Sequence, residues 1–139
     1  MKTKVLILFL PFLAATTLCS AQDSERKKIE QTVSYYLDGG TNNDFETLKK
    51  AFHKNASMKF ISGAGYKEVN AVDFFENAIK PGPKQNRKTS IVAINITGNA
   101  ANAQLRIDYP TFFLMDFMNL LKIDGEWKIV SKIFHREQK

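Results

Sequence analysis

The pair Asp124-Gly125 constrains this chain more than any other feature. It separates two runs rich in aromatic and branched residues, Thr111 to Ile123 and Glu126 to His135. A two-residue turn needs positive φ at both central positions, which Asp and Gly tolerate, so the last third of the chain is predicted to be a β-hairpin. With a tight turn, Ile123 faces Glu126, Lys122 faces Trp127, Leu120 faces Ile129, Met118 faces Ser131, Asp116 faces Ile133 and Leu114 faces His135.

That register sorts the hairpin into two faces. One holds Leu114, Asp116, Met118, Leu120, Trp127, Ile129, Ile133 and His135. The other holds Phe113, Met115, Phe117, Leu121, Ile123, Val130 and Phe134, diluted by Asn119, Lys128 and Lys132. A sheet with one wet face alternates apolar and polar residues, and here both faces are largely apolar. One face is expected to be covered by helices and the other by a second copy of the chain, as a homodimer. Asp116 and His135 fall in adjacent pairs on the helix-covered face, within diagonal reach. A carboxylate beside an imidazole in an apolar cavity is a candidate acid–base pair. The plainer reading places His135 near a fraying terminus and Asp116 at a wet sheet rim. A bulge anywhere in the hairpin would shift the register and dissolve the pair.

The chain begins with Lys2 and Lys4, an apolar run from Val5 to Ala15, and Cys19-Ser20-Ala21. This is the pattern of a secretory signal peptide over residues 1–21, cleaved after Ala21, with residues 22–139 as one exported domain, periplasmic or secreted. The run is too short for a membrane span and is interrupted by Pro11. Lipid attachment at Cys19 is disfavoured by the bulky Leu18 before it. Cys19 is the single cysteine, so the mature domain has neither disulfide nor thiol chemistry. The formal charge of +6 falls to +4 once Lys2 and Lys4 leave, and the remaining cations form no stripe interleaved with aromatics. A nucleic-acid partner is therefore not expected.

The rest of the mature chain reads as helices followed by strands. Asp23 or Ser24 caps a helix to about Leu37 that buries Ile29, Val33, Tyr36 and Leu37, and Asp38-Gly39-Gly40 stops it. Asn43 with Glu46 starts a second helix to about Phe52, burying Phe45, Leu48 and Phe52, with His53 capping its carbonyls. Ala56 to Ser62 is a strand, Ser62 to Gly65 a turn, and Asn70 opens a third helix through Val72, Phe74, Phe75 and Ile79 that ends at Pro81. Thr89 to Thr97 is a strand with Val92, Ile94 and Ile96 on one face, and Ala101 to Tyr109 returns with Ala103, Leu105, Ile107 and Tyr109 inward. Three N-terminal helices and an antiparallel meander make an α+β domain. With two histidines and no ligand cluster, no metal site is expected.

Four stretches carry a resemblance: Tyr36 to Gly40, Ala51 to Ala56, Ile94 to Ala101 and Leu120 to Val130. The chain resembles the nuclear transport factor 2-like superfamily of ketosteroid isomerases and polyketide cyclases, and within it the "putative lumazine-binding" proteins. The resemblance implies a cone: a strongly bent antiparallel sheet wrapped around helices, with an internal cavity and frequent dimerisation through the outer sheet face. Relatives with known chemistry use an Asp base or a His–Asp pair inside the cone.

Three functions are then compatible with the sequence. The first is a binding module holding a small, partly apolar molecule against Tyr36, Phe60, Phe75, Tyr109, Phe112, Met118 and Trp127. The second is an isomerase, dehydratase or cyclase that uses Asp116 and His135 and needs no cofactor. The third is a structural domain whose cone is filled by its own side chains. An empty cavity favours the first two, and Asp116 within reach of His135 favours the second.

Overall fold

A computed structural model describes residues 14–139, with side chains from residue 21 onward. Most of the expected signal peptide, Cys19 included, therefore lies outside the residues whose side chains are described. The elements are α1 (Ala14–Asn42), α2 (Phe45–Lys49), β1 (Phe52–Ser62), β2 (Gly65–Asn70), α3 (Ala71–Ala78), β3 (Lys88–Thr97), β4 (Ala100–Asp108), β5 (Phe112–Ile123) and β6 (Glu126–Gln138). The strands form one curled, unclosed sheet in the order β2-β1-β6-β5-β4-β3. All neighbours are antiparallel except β1 and β6.

The core lies between α1 and the concave face of the sheet. Ile29, Val33, Tyr36 and Leu37 are buried at the predicted helical spacing, against Ala103, Leu105 and Ile107 of β4 and Met118 and Leu120 of β5. Removing that apolar area from water is the main force closing the sheet over the helix, at roughly 25 cal/mol per Å².

The double glycine does not end α1, which runs on to Asn42. A Cβ at Gly39 would lie 2.4 Å from the backbone nitrogen of Leu48, so this glycine lets α2 pack directly on α1. The stop comes at Asn43, whose φ of 56° is left-handed. Asp44, not Asn43, then caps α2, accepting from the Thr47 N–H at 3.0 Å and its hydroxyl at 2.6 Å. The helix closes at Lys49, so Phe52 and His53 open β1, and the His53 ring accepts from the Asn55 N–H instead of capping carbonyls. Strand β2 escapes sequence reading because it is a polar, exposed edge. Asn70 caps α3 as expected, accepting from the N–H groups of Val72 and Asp73.

The ladders slip in β1 between Phe52 and Ser57, in β3 and in the hairpin. In β3 the ladder slips between Ile91 and Ala93, which turns Val92 outward and leaves Ile91, Ile94 and Ile96 against the core. In the hairpin the turn forms as predicted, with Asp124 at φ 50° and Gly125 at φ 85°, and the register holds as far as Leu120 opposite Ile129. The ladder then shifts by one residue at Val130, so that Asn119 faces Ser131, Met118 faces Lys132, Asp116 faces Phe134 and Leu114 faces Arg136. The expected Met118–Ser131, Asp116–Ile133 and Leu114–His135 pairs do not form. An extra residue in one strand reverses the facing of everything beyond it.

Candidate functional site

The bulge at Val130 assembles the site. It turns Ile133, 50% exposed, to the convex face and brings Lys132 and Phe134 to the concave face beside Asp116. Asp116 is 0% exposed and Lys132 is 2% exposed. The Lys132 ammonium donates to Asp116 Oδ1 at 2.5 Å, and the Tyr36 hydroxyl, from α1, donates to Asp116 Oδ2 at 2.7 Å. The carboxylate thus holds one donor on each oxygen. A buried, charge-assisted arrangement of this kind needs such partners to exist at all.

Aromatic rings surround the polar group. The Lys132 Nζ lies 4.2 Å from the centroid of the Phe134 ring and 5.7 Å from that of Tyr36. Tyr36 meets Phe52 and Phe75 edge-on, each at 5.7 Å. Phe134 stacks on Phe60 at 5.2 Å, and Phe60 meets Phe74 at 6.3 Å. The local electrostatics follow from dryness. Burial pushes the Lys132 ammonium below its ordinary range, against the pull of Asp116, which favours the charged form. Burial, then the charge of Asp116, pushes the Tyr36 phenol well up, so it stays a neutral donor.

The expected Asp116–His135 pair is not brought together. His135 lies beyond the bulge on the convex side, with its side chain 69% exposed and its Nε2 3.0 Å from Glu137. Asp116 is on the helix-covered face as expected, but it is fully buried rather than at a wet rim. Sequence reasoning missed Lys132 and Phe134. Nothing in Ile129-Val130-Ser131 announces a bulge, and Ile133 and Phe134 are equally apolar choices for the interior.

The proposed binding residues divide into three groups. Tyr36, Phe75, Phe60 and Met118 lie around the Asp116 site, Met118 as the strand partner of Lys132. Tyr109 and Phe112 stack on each other at 4.5 Å. The Tyr109 hydroxyl accepts from Arg87 at 2.8 Å and donates to Gln85 at 3.0 Å. Arg87 also donates to the Leu37 carbonyl and the Thr41 hydroxyl, which pins the segment before β3 to the end of α1. Trp127 sits at the turn end of the hairpin, away from Asp116, where its indole N–H donates to Glu25 at 2.7 Å. Hydrogen bonds from Lys28, then Lys122 and Trp127, lower the Glu25 carboxyl to about 2. Trp127 instead lines a separate cleft of about 380 Å³ with Lys28, Tyr35, Lys50 and Lys128.

Among the described residues, no group of three His, Cys, Asp or Glu side chains is placed to hold a metal ion, and no helix is long and apolar enough to cross a membrane.

Comparison with known proteins fits this architecture. An aldolase, FrzH, from a Cladobotryum species is 27% identical over 115 residues, covering 81% of this chain and 91% of its own. A nuclear transport factor 2-like protein of unknown function from Shewanella baltica superposes with a TM-score of 0.76 at 28% identity, covering 84% of this chain and 96% of its own. Another, from Methylobacillus flagellatus, superposes with a TM-score of 0.72 at 28% identity, covering 82% and 93%. The family described as "putative lumazine-binding" matches residues 24–135. The chain therefore belongs to that family, on the nuclear transport factor 2-like fold.

Proposed function

We propose that this protein binds a small, partly apolar carbonyl compound on the concave face of the sheet, with Asp116, Tyr36 and Lys132 as its polar anchor. The observation that carries the reading is the Asp116 carboxylate, wholly buried and held by one donor on each oxygen. A buried ion pair is seldom the most stable way to fill a core; apolar residues of the same size are often as good or better. Its presence among aromatic rings is better explained by a polar ligand than by folding. Kinship with a protein named an aldolase supports a carbonyl group as the feature recognised. Tyr36 donates and Asp116 accepts, so the same anchor is equipped for proton transfer to or from a bound carbonyl compound.

Export and self-association belong to the same proposal. The basic start, apolar run and small residues up to Ala21 support removal of a signal peptide and a periplasmic or secreted location. Exposed Leu121 and Ile133, with half-buried Met115 and Phe117, support a homodimer through the convex face.

Native mass spectrometry of the protein isolated from its own source tests the binding reading. The expected result is one small molecule per protomer, lost in Asp116→Asn. A bare protein whose melting temperature is unmoved by a panel of aldehydes and ketones would overturn it.

A further inference from the structure

We propose that Lys132 is a nucleophile that condenses with an aldehyde or ketone bound beside Asp116, forming an iminium. The inference rests on the binding reading above and deepens it. Three observations carry it.

First, Lys132 faces inward only because of the bulge at Val130; strict alternation would place Ile133 there. Bulges commonly re-aim a side chain toward a site. Second, the amine has an acid–base group in contact, Asp116 Oδ1 at 2.5 Å, and that group is backed by the Tyr36 phenol at 2.7 Å. Third, a line of rings leads from the amine to solvent. Phe134 lies over Lys132, Phe60 stacks on Phe134, and Phe74, 40% exposed, meets Phe60. An aromatic or unsaturated carbonyl compound entering along this line would replace their stacking with its own.

The step balances as follows. The Lys132 ammonium passes one proton to Asp116, and the neutral Nζ attacks the carbonyl carbon, forming a C–N bond and sending the π electrons to oxygen. Proton transfers through the Asp116 carboxyl move one nitrogen proton to that oxygen and give a neutral carbinolamine. The protonated Asp116 then donates to the hydroxyl, which leaves as water as the nitrogen lone pair forms the C=N bond. The iminium carries the single positive charge that the ammonium brought, and Asp116 is again a carboxylate beside it. Burial, which favours the neutral amine, works in the same direction.

The test is reductive trapping on the full chain. Benzaldehyde and cyanoborohydride are added near neutral pH, where exposed lysines are protonated, and the label is located by peptide mapping. Burial favours the neutral amine at Lys132 and the Asp116 carboxylate in contact takes its proton, so Lys132 should carry a severalfold excess of label over any other lysine. Lys132→Arg keeps the positive charge beside Asp116 and should lose this label alone. Label confined to surface lysines would overturn the proposal. If native mass spectrometry still finds a non-covalent ligand in that case, the binding reading stands without the iminium; if it finds none and the panel of aldehydes and ketones leaves the melting temperature unmoved, both fall.

Discussion

Replacing Asp116 by Asn removes one charge and almost no volume, so it isolates the energetics of the buried cluster. The side chain is inaccessible to water, and it neutralises an ammonium that is nearly as buried. Breaking a buried ion pair from one side leaves the other charge unpaired and costs about 3–5 kcal/mol. Asp116→Asn should lose that much in urea denaturation at neutral pH, read as a shift in midpoint at constant slope. Adding Lys132→Met removes the stranded charge and should recover most of the loss, giving a coupling of roughly 2 kcal/mol or more between the two sites. Tyr36→Phe, which removes only one hydrogen bond to the carboxylate, should cost about 1.5–3 kcal/mol.

The pH dependence gives a second readout. Burial lowers the folded pKa of Lys132 below its unfolded value of 10.5. The unfolded chain therefore binds more protons between the two values, and stability rises with pH across that window. Without Asp116 the folded value falls further, so Asp116→Asn should gain up to about 1.4 kcal/mol per pH unit over a wider range than the wild type. A loss under about 1 kcal/mol, with no coupling and no steeper rise, would refute a buried charge pair at this position.

Other outcomes follow from the packing. Gly39→Ala would be favoured by about 1 kcal/mol on helix propensity alone; the 2.4 Å approach of Leu48 should reverse the sign to a loss of about 2–3 kcal/mol in the same assay. Glu25, held at about 2 by Lys28, Lys122 and Trp127, stabilises the fold fully above its unfolded value near 4.5 and progressively less as pH falls toward 2, so Glu25→Gln should flatten the melting temperature across that interval. Ile133→Glu or Leu121→Glu on the convex face should turn a dimer into a monomer in sedimentation velocity at micromolar concentration, and a wild-type monomer would dismiss the proposed interface.

Local chemistry was enough for much of this protein. The Asp124-Gly125 corner, the buried stripe of α1, the Asn70 cap and the alternation of β4 each depend on residues close in sequence, whose spacing and turn preference are readable directly. The class of fold followed from their order. What depended on distant contacts was not readable. Gly39-Gly40 carries the signature of a helix stop, yet Leu48 needs that space and α1 continues. His135 and Asp116 belonged together only while the hairpin alternated without interruption. One extra residue at Val130 exchanged His135 for Lys132, because facing in a strand has a period of two and any odd insertion inverts it. The sequence by itself determined which residues make strands and where they turn; the tertiary structure alone decided which charge is shut inside with Asp116, since that choice is made by packing across the sheet and not by any neighbour along the chain.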